Sequence, residues 1–208
     1  MAKAKRMYGC TECGSTFPKW AGQCGDCGAW NTLVETVIDG AAPPSGRAGW
    51  AGDQANIKTL AEVSVEEMPR FSTASGELDR VLGGGLVDGS VVLIGGDPGI
   101  GKSTILLQTL CAIAQRFPAL YVTGEESQQQ VAMRARRLDL PQDRLKVMTE
   151  TCIESIIATA RLEKPKVMVI DSIQTIFTEQ LQSAPGGVAQ VRESAALLVR
   201  FAKQSGTA

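Results

Sequence analysis

Between residues 88 and 205 short apolar runs alternate with longer stretches of helical period. Val91–Ile94, Leu120–Thr123, Leu145–Met148 and Val167–Ile170 are too short for helices and largely apolar, so each reads as a buried strand. Between them, Ser103–Phe117 is apolar almost all round, which suits a helix buried against a sheet. Val131, Ala135 and Leu138 mark one face of the next helix. Ile153, Ile156, Ile157 and Ala160 follow the i, i+3, i+4, i+7 rule, and Val188, Val191, Ala195, Leu198 and Phe201 line a last amphipathic helix. Strands alternating with helices predict an α/β fold: a parallel sheet with helices on both faces.

The pattern stops short of the N-terminus. Residues 39–56 are rich in Gly, Ala and Pro with no period of 2 or 3.6, which marks a flexible linker. It separates residues 1–38, a small cysteine-bearing unit, from residues 57–208, the α/β core. Charge is nearly balanced, 21 Lys and Arg against 22 Asp and Glu, so a histone-like basic tail and an acidic solvating tail are both excluded. There are no histidines, which removes imidazole bases, His-ligated metals and Ser-His-Asp hydrolysis together. No apolar run reaches the roughly 18–20 residues of a membrane helix, and the basic start leads into Cys10 rather than an apolar signal core. The reading is of a cytoplasmic protein without a membrane partner.

Four of the six cysteines fall in two CxxC knuckles, Cys10 with Cys13 and Cys24 with Cys27, each followed by glycine. Four thiolates at this spacing match tetrahedral Zn²⁺ in a structural site; an iron–sulfur or rubredoxin-like iron centre is the chemical competitor. Trp20 and Trp30 read as packing around the knuckles ahead of base-stacking platforms. Cys111 and Cys152 read as small buried hydrophobes.

Gly96-Asp97-Pro98-Gly99-Ile100-Gly101-Lys102-Ser103 fits GxxxxGK[ST], between a predicted strand and a predicted helix, with Gly95 ahead of it. Such a loop wraps a phosphate chain with inward N–H groups at a helix N-terminus. Lys102 would neutralise β and γ oxygens, the Ser103 hydroxyl would hold Mg²⁺, and Thr104 could touch the α-phosphate of ATP. Asp171 ends a buried strand, where a carboxylate can hold Mg²⁺ through water. Glu125 and Glu126 follow another strand, and one of them is placed to activate the attacking water; Glu125 is favoured, with Glu126 open.

The order Ser75–Leu86 (SGELDRVLGGGL), P-loop, then Tyr121–Ser127 (YVTGEES) resembles RecA/KaiC-type ATPases. The four-cysteine ribbon ahead of it narrows the likeness to a bacterial DNA repair branch of that family. The resemblance implies a RecA-like P-loop ATPase core preceded by a zinc ribbon. It also implies a homohexameric, DNA-dependent ATPase of recombinational repair that binds single-stranded or branched DNA and works beside a recombinase. Zn²⁺ would sit on Cys10, Cys13, Cys24 and Cys27, ATP on Gly96–Thr104, Mg²⁺ on Ser103 and Asp171, with Glu125 activating water. A KaiC-like kinase or switch, and a zinc-ribbon adaptor that only binds nucleotide, are the alternatives. The family's pattern continues with a sensor strand, a KNRFG motif and a Lon-protease-like domain. By that measure residues 57–208 are a partial core, incomplete at the C-terminus, expected to bind nucleotide poorly alone. DNA contacts are weakly marked: the basic set Arg134, Arg136, Arg137, Arg144 and Lys146 reads as a solvated face. The loop Ser183–Gly187 ahead of Gln190 and Arg192 is a candidate.

Overall fold

The computed structural model describes residues 5–38, 59 and 69–208; the expected linker, residues 39–56, lies outside the described residues. The N-terminal unit is a three-stranded antiparallel ribbon of order β2-β1-β3, built from β1 (Lys5–Cys10), β2 (Thr16–Phe17) and β3 (Leu33–Ile38). Register pairs Tyr8 with Phe17 and Cys10 with Leu33. Its interior is small: Cys10, Cys24 and Leu33 are buried, with Tyr8, Cys13 and Phe17 packed against them.

The second unit opens with helix α1 (Gly76–Val81), capped by the Ser75 side chain, which accepts from the Leu78 N–H. It continues through α2 (Lys102–Ala114), β4 (Ala119–Thr123), α3 (Gln128–Arg137), β5 (Lys146–Thr149), α4 (Ile153–Glu163), β6 (Val167–Asp171) and α5 (Val188–Ser205). β4 is the middle of a parallel sheet of order β5-β4-β6, and all five of its residues are buried. Ala119 and Tyr121 face one cluster, with Leu107, Leu110 and Cys111 of α2 and Val131 and Ala135 of α3. Leu120 and Val122 face the other, with Ile153, Ile156 and Ala160 of α4 and Phe201 of α5. Two-residue alternation along one strand thus serves two apolar layers, which is why its sequence is a continuous apolar run.

The expected α/β architecture is present, with one strand missing from it. Val91–Ile94 forms no strand: it has no ladder partner among the described residues, and Val91, Val92 and Leu93 are 52%, 45% and 85% exposed. The edge of β6 away from β4 is instead met by Ala208, whose N–H donates to Lys166 O at 3.0 Å and whose carbonyl accepts from Met168 N–H at 2.8 Å. A strand needs a neighbour for its N–H and C=O groups, and apolarity alone does not supply one. Cys152 departs more mildly from expectation. It is half-buried at the N-cap of α4, its Sγ 3.3 Å from Glu154 Oε2, while Cys111 is buried as expected.

Candidate functional site

Each cysteine knuckle is the same turn. Cys10 N–H donates to Ser15 O and Gly14 N–H to Cys10 O; Cys24 N–H donates to Ala29 O and Gly28 N–H to Cys24 O, all at 2.8–2.9 Å. Gly14 and Gly28 take φ of +74° and +73°, the left-handed conformation that closes a knuckle and that glycine adopts without a Cβ penalty. The turns bring all four Sγ atoms within 4.8 Å of one another. Cys10 to Cys27 is 3.7 Å and Cys13 to Cys24 is 3.6 Å, against an edge of about 3.8 Å for a tetrahedron with Zn–S bonds of about 2.3 Å.

The sulfurs do not share one protonation behaviour. Burial opposes ionisation of Cys10, but hydrogen bonding from Thr32 and the Cys13 and Glu12 backbone outweighs it and brings the thiol to about 6. Ser15 lowers Cys13. At Cys27 the Ala29 N–H favours the thiolate, yet desolvation and the neighbouring sulfurs push it up to about 12. Four thiolates this close repel one another unless a cation sits among them, so the donor set fits Zn²⁺. Trp20 and Trp30 do not pack into this centre. They are 59% and 69% exposed, and a Cβ on Gly22 would meet both indoles at 3.8–4.0 Å. The ribbon's interior is already filled by cysteines, Leu33, Tyr8 and Phe17.

In the core, residues 95–101 form an exposed loop running into α2, whose N-cap is Gly101 at φ +103°. Gly96 and Gly99 also take positive φ, and a Cβ on Gly95, Gly99 or Gly101 would meet nothing within 4 Å. The Lys102 ammonium folds back across the loop, donating to Gly96 O at 2.7 Å and Asp97 O at 2.8 Å. The first-turn N–H groups of Lys102 and Ser103 point out of the helix start without carbonyl acceptors, as at any helix N-terminus. Backbone donors, an ammonium resting on neutral carbonyls and open space over glycines fit a polyphosphate.

The carboxylates stand at the carboxyl ends of β4 and β6. Thr123, buried at the end of β4, accepts from the N–H groups of Glu125 and Glu126 at 3.2 and 3.0 Å, which folds the turn sharply after the strand. Gly124 makes that turn possible: a Cβ there would lie 2.3 Å from Thr175 Oγ1 and 2.7 Å from Thr151 Cγ2. Glu125 is exposed and its Oε1 accepts from the Ser172 hydroxyl at 2.5 Å. Glu126 is turned the other way, its Oε2 paired with Arg134 at 2.7 Å. Asp171 accepts from the Tyr121 hydroxyl. The structure therefore gathers Glu125, Ser172 and Asp171 across the β4–β6 pair. No direct hydrogen bond or ion pair joins residues 95–104 to these carboxylates among the described residues.

Sequence reasoning missed Ser172 and Tyr121 and read Arg134 as part of a solvated basic face, whereas only 12% of its side chain is exposed. Ser172 carried one usable signal, a hydroxyl immediately after the strand-ending acid; the other two depend on which way α3 packs. Gln190 is not a surface contact residue. It is 1% exposed, its Oε1 accepts from Thr178 N–H, and its amide donates to the carbonyls of Thr178, Leu181 and Ser183 at 2.9–3.3 Å. The basic set is largely occupied as well: Arg134 pairs with Glu126, Lys146 with Glu163 and Arg144 with Asp143. Arg136 and Arg137 remain exposed. Among the described residues no helix is long and apolar enough to cross a membrane.

Comparison with known proteins agrees with both units. A family model described as a rubredoxin metal binding domain matches residues 8–35, and the KaiC ATPase model matches residues 71–156. The DNA repair protein RadA of Pseudomonas aeruginosa is 86% identical over 208 residues, covering 100% of this chain and 46% of the relative. RadA of Escherichia coli is 58% identical over 217 positions, with 100% and 46% covered. RadA of Bacillus subtilis is 45% identical over 210 positions, with 99% and 46% covered. The chain thus spans about half the length of the curated relatives it matches.

Proposed function

The chain belongs to the RadA family of DNA repair proteins, and we propose that it carries the zinc ribbon and nucleotide site of a Mg²⁺-dependent ATPase coupled to DNA. The observation that carries this reading is the glycine loop with Lys102 folded onto its own carbonyls at 2.7 and 2.8 Å. A buried structural lysine would have a carboxylate partner. Here the amine rests on two neutral acceptors and is released when phosphate oxygens offer full negative charge.

In this reading Gly95, Gly96, Asp97, Pro98, Gly99, Ile100 and Gly101 wrap the phosphates, and Lys102 and Thr104 add side-chain contacts. Ser103 and Asp171 would hold a hydrated Mg²⁺, which would supply charge neutralisation to the phosphates. Glu125 takes the proton of the attacking water. The Ser172 hydroxyl already occupies its Oε1, so one carboxylate oxygen stays aimed and the other free to accept. The ion pair of Glu126 with Arg134 favours Glu125 over Glu126 for that role. Cys10, Cys13, Cys24 and Cys27 hold Zn²⁺ as a closed structural site, with no position left for water. At family length the protein acts in the cytoplasm as a ring of like subunits, a hexamer, on single-stranded or branched DNA beside a recombinase.

Steady-state ATPase of the family-length protein, with and without single-stranded DNA, tests this. Turnover that rises with single-stranded DNA and vanishes in Lys102→Ala is expected. Nucleotide binding without turnover would leave a nucleotide-dependent adaptor, and phosphate transfer to protein side chains a kinase.

A further inference from the structure

The ends of β4 and β6 are joined to α3 by a chain of four side chains, Asp171, Tyr121, Arg134 and Glu126, of which the reaction above uses only Asp171. Tyr121, fully buried in the middle of β4, donates its hydroxyl proton to Asp171 Oδ2 and accepts from Arg134 Nη2 at 3.1 Å. Arg134, with only 12% of its side chain exposed, continues to Glu126 Oε2 at 2.7 Å. The chain therefore links the ends of β4 and β6, the turn after β4, and α3.

The direction of the hydrogen bonds is settled by chemistry. A phenol has one proton, and an arginine only donates, so the Tyr121 oxygen accepts from Arg134 and gives its own proton to Asp171. An ordinary phenol keeps its proton at neutral pH, so the hydroxyl has one to give. One Asp171 oxygen is thereby committed to the protein. Arg134, for its part, fixes Glu126 and with it the orientation of the short turn that also carries Glu125.

We propose that Tyr121 and Arg134 are positioning residues of the nucleotide site: Tyr121 locks the Asp171 carboxylate so that Oδ1 alone is left for the hydrated cation, and Arg134 anchors Glu126 so that the turn presents Glu125. This rests on the assignment of Asp171 and Glu125 made above. The alternative role for Tyr121 is packing, since its ring lies in the core with Leu107, Val131 and Ala135. Tyr121→Phe separates the two, because it keeps the ring and removes only the hydroxyl.

The test is binding of a fluorescent ATP analogue to the family-length protein, titrated without Mg²⁺ and across Mg²⁺ concentrations. Tyr121→Phe is expected to raise the Mg²⁺ concentration for half-maximal binding by about tenfold, the scale of one hydrogen bond to a charged group. Affinity without Mg²⁺ and the melting temperature should stay near those of the unaltered protein. Arg134→Lys, which keeps the charge beside Glu126 but cannot span Glu126 and Tyr121 together, should shift the Mg²⁺ midpoint the same way by a smaller factor. An unchanged midpoint in either variant overturns the proposal. So does equal weakening with and without Mg²⁺ accompanied by lower melting, which is the signature of packing alone. Failure of the unaltered protein to bind the analogue at any Mg²⁺ concentration sinks the nucleotide-site reading itself, a result distinct from either.

Discussion

Glu125 and Glu126 are chemically identical neighbours, and one contact each separates them, a hydrogen bond for Glu125 and an ion pair for Glu126. Glu125 meets a neutral hydroxyl, Ser172, and is exposed; Glu126 meets a guanidinium. Glu126 is turned toward Arg134 and away from the side where Glu125 meets Ser172. Glu125→Gln is therefore expected to retain ATP binding and lose turnover by roughly 100-fold or more. Glu126→Gln should lose less, since it loosens the turn but leaves the base in place; a reversed ranking in single-turnover hydrolysis would move the base to Glu126. The preceding glycine is expected to be as sensitive for a steric reason. Gly124→Ala puts a methyl 2.3 Å from Thr175 Oγ1, and overpacking of this kind costs about 1–3 kcal/mol, read as a lower denaturation midpoint with unchanged slope. From the sequence, the two acids after an apolar strand were visible as a pair, with Glu125 favoured and Glu126 left open. Their difference lies in Arg134, one helix further along, and in Ser172 across the sheet. Asp79 shows the same dependence on folded context. Hydrogen bonds from the Ser72 hydroxyl and from the Thr73 hydroxyl and N–H hold its carboxyl below the ordinary range. That stabilisation is complete above the unfolded carboxylate pKa and is lost as pH falls through the lower folded value.

Elements were legible where their burial pattern is self-contained. α2 and α5 begin where an apolar period meets a glycine, Gly101 and Gly187, and α3 at Ser127 with its Gln130 capping box; α4 begins at Cys152, whose side chain makes no capping hydrogen bond, on the strength of its apolar period alone. The cysteine knuckles were equally legible, because CxxCG encodes a local turn and the glycine φ follows from it. The ribbon strands and α1 were not anticipated. β2 has two residues, and α1 buries none, so neither leaves a periodic trace. Two predictions belong at this scale. A Cys₄ zinc site contributes apparent binding free energy on the order of 10–16 kcal/mol, far beyond what the three buried residues of the ribbon's core offer. Chelation or Cys24→Ser should therefore unfold residues 8–30 while the α/β core keeps its cooperative melt; amide exchange resolved by segment reads both. Elemental analysis showing no transition metal under reducing conditions would refute it. The second concerns the loop after β6. Gln190 makes four hydrogen bonds to its backbone, so Gln190→Leu leaves buried groups unpaired at about 1–3 kcal/mol each. Fast exchange confined to residues 178–187 is expected, and protection unchanged there would contradict it.

At the scale of the whole molecule, the sheet is covered on both faces but not completed in its own plane. β4 has neighbours on either side, and among the described residues β6 has only Ala208 beyond it. Val91–Ile94, which leads into the phosphate loop, stands outside the ladder with Leu93 85% exposed. Burying side chains of this size is worth about 1.5–3 kcal/mol each, and an apolar segment with unpaired backbone is a template for association. The loop's register also depends on this segment, since no hydrogen bond ties residues 95–104 to Glu125 or Asp171 among the described residues. A polypeptide of residues 1–208 made alone is therefore expected to bind nucleotide at least about tenfold more weakly than a protein of family length. It should also self-associate and bind a hydrophobic dye at the exposed run. Val92→Thr and Leu93→Lys together should restore monodispersity without restoring affinity, because they remove the apolar surface but supply no strand to hold the loop. A monomeric 1–208 polypeptide with the nucleotide affinity and DNA-stimulated turnover of the longer protein would show that the loop needs no such support.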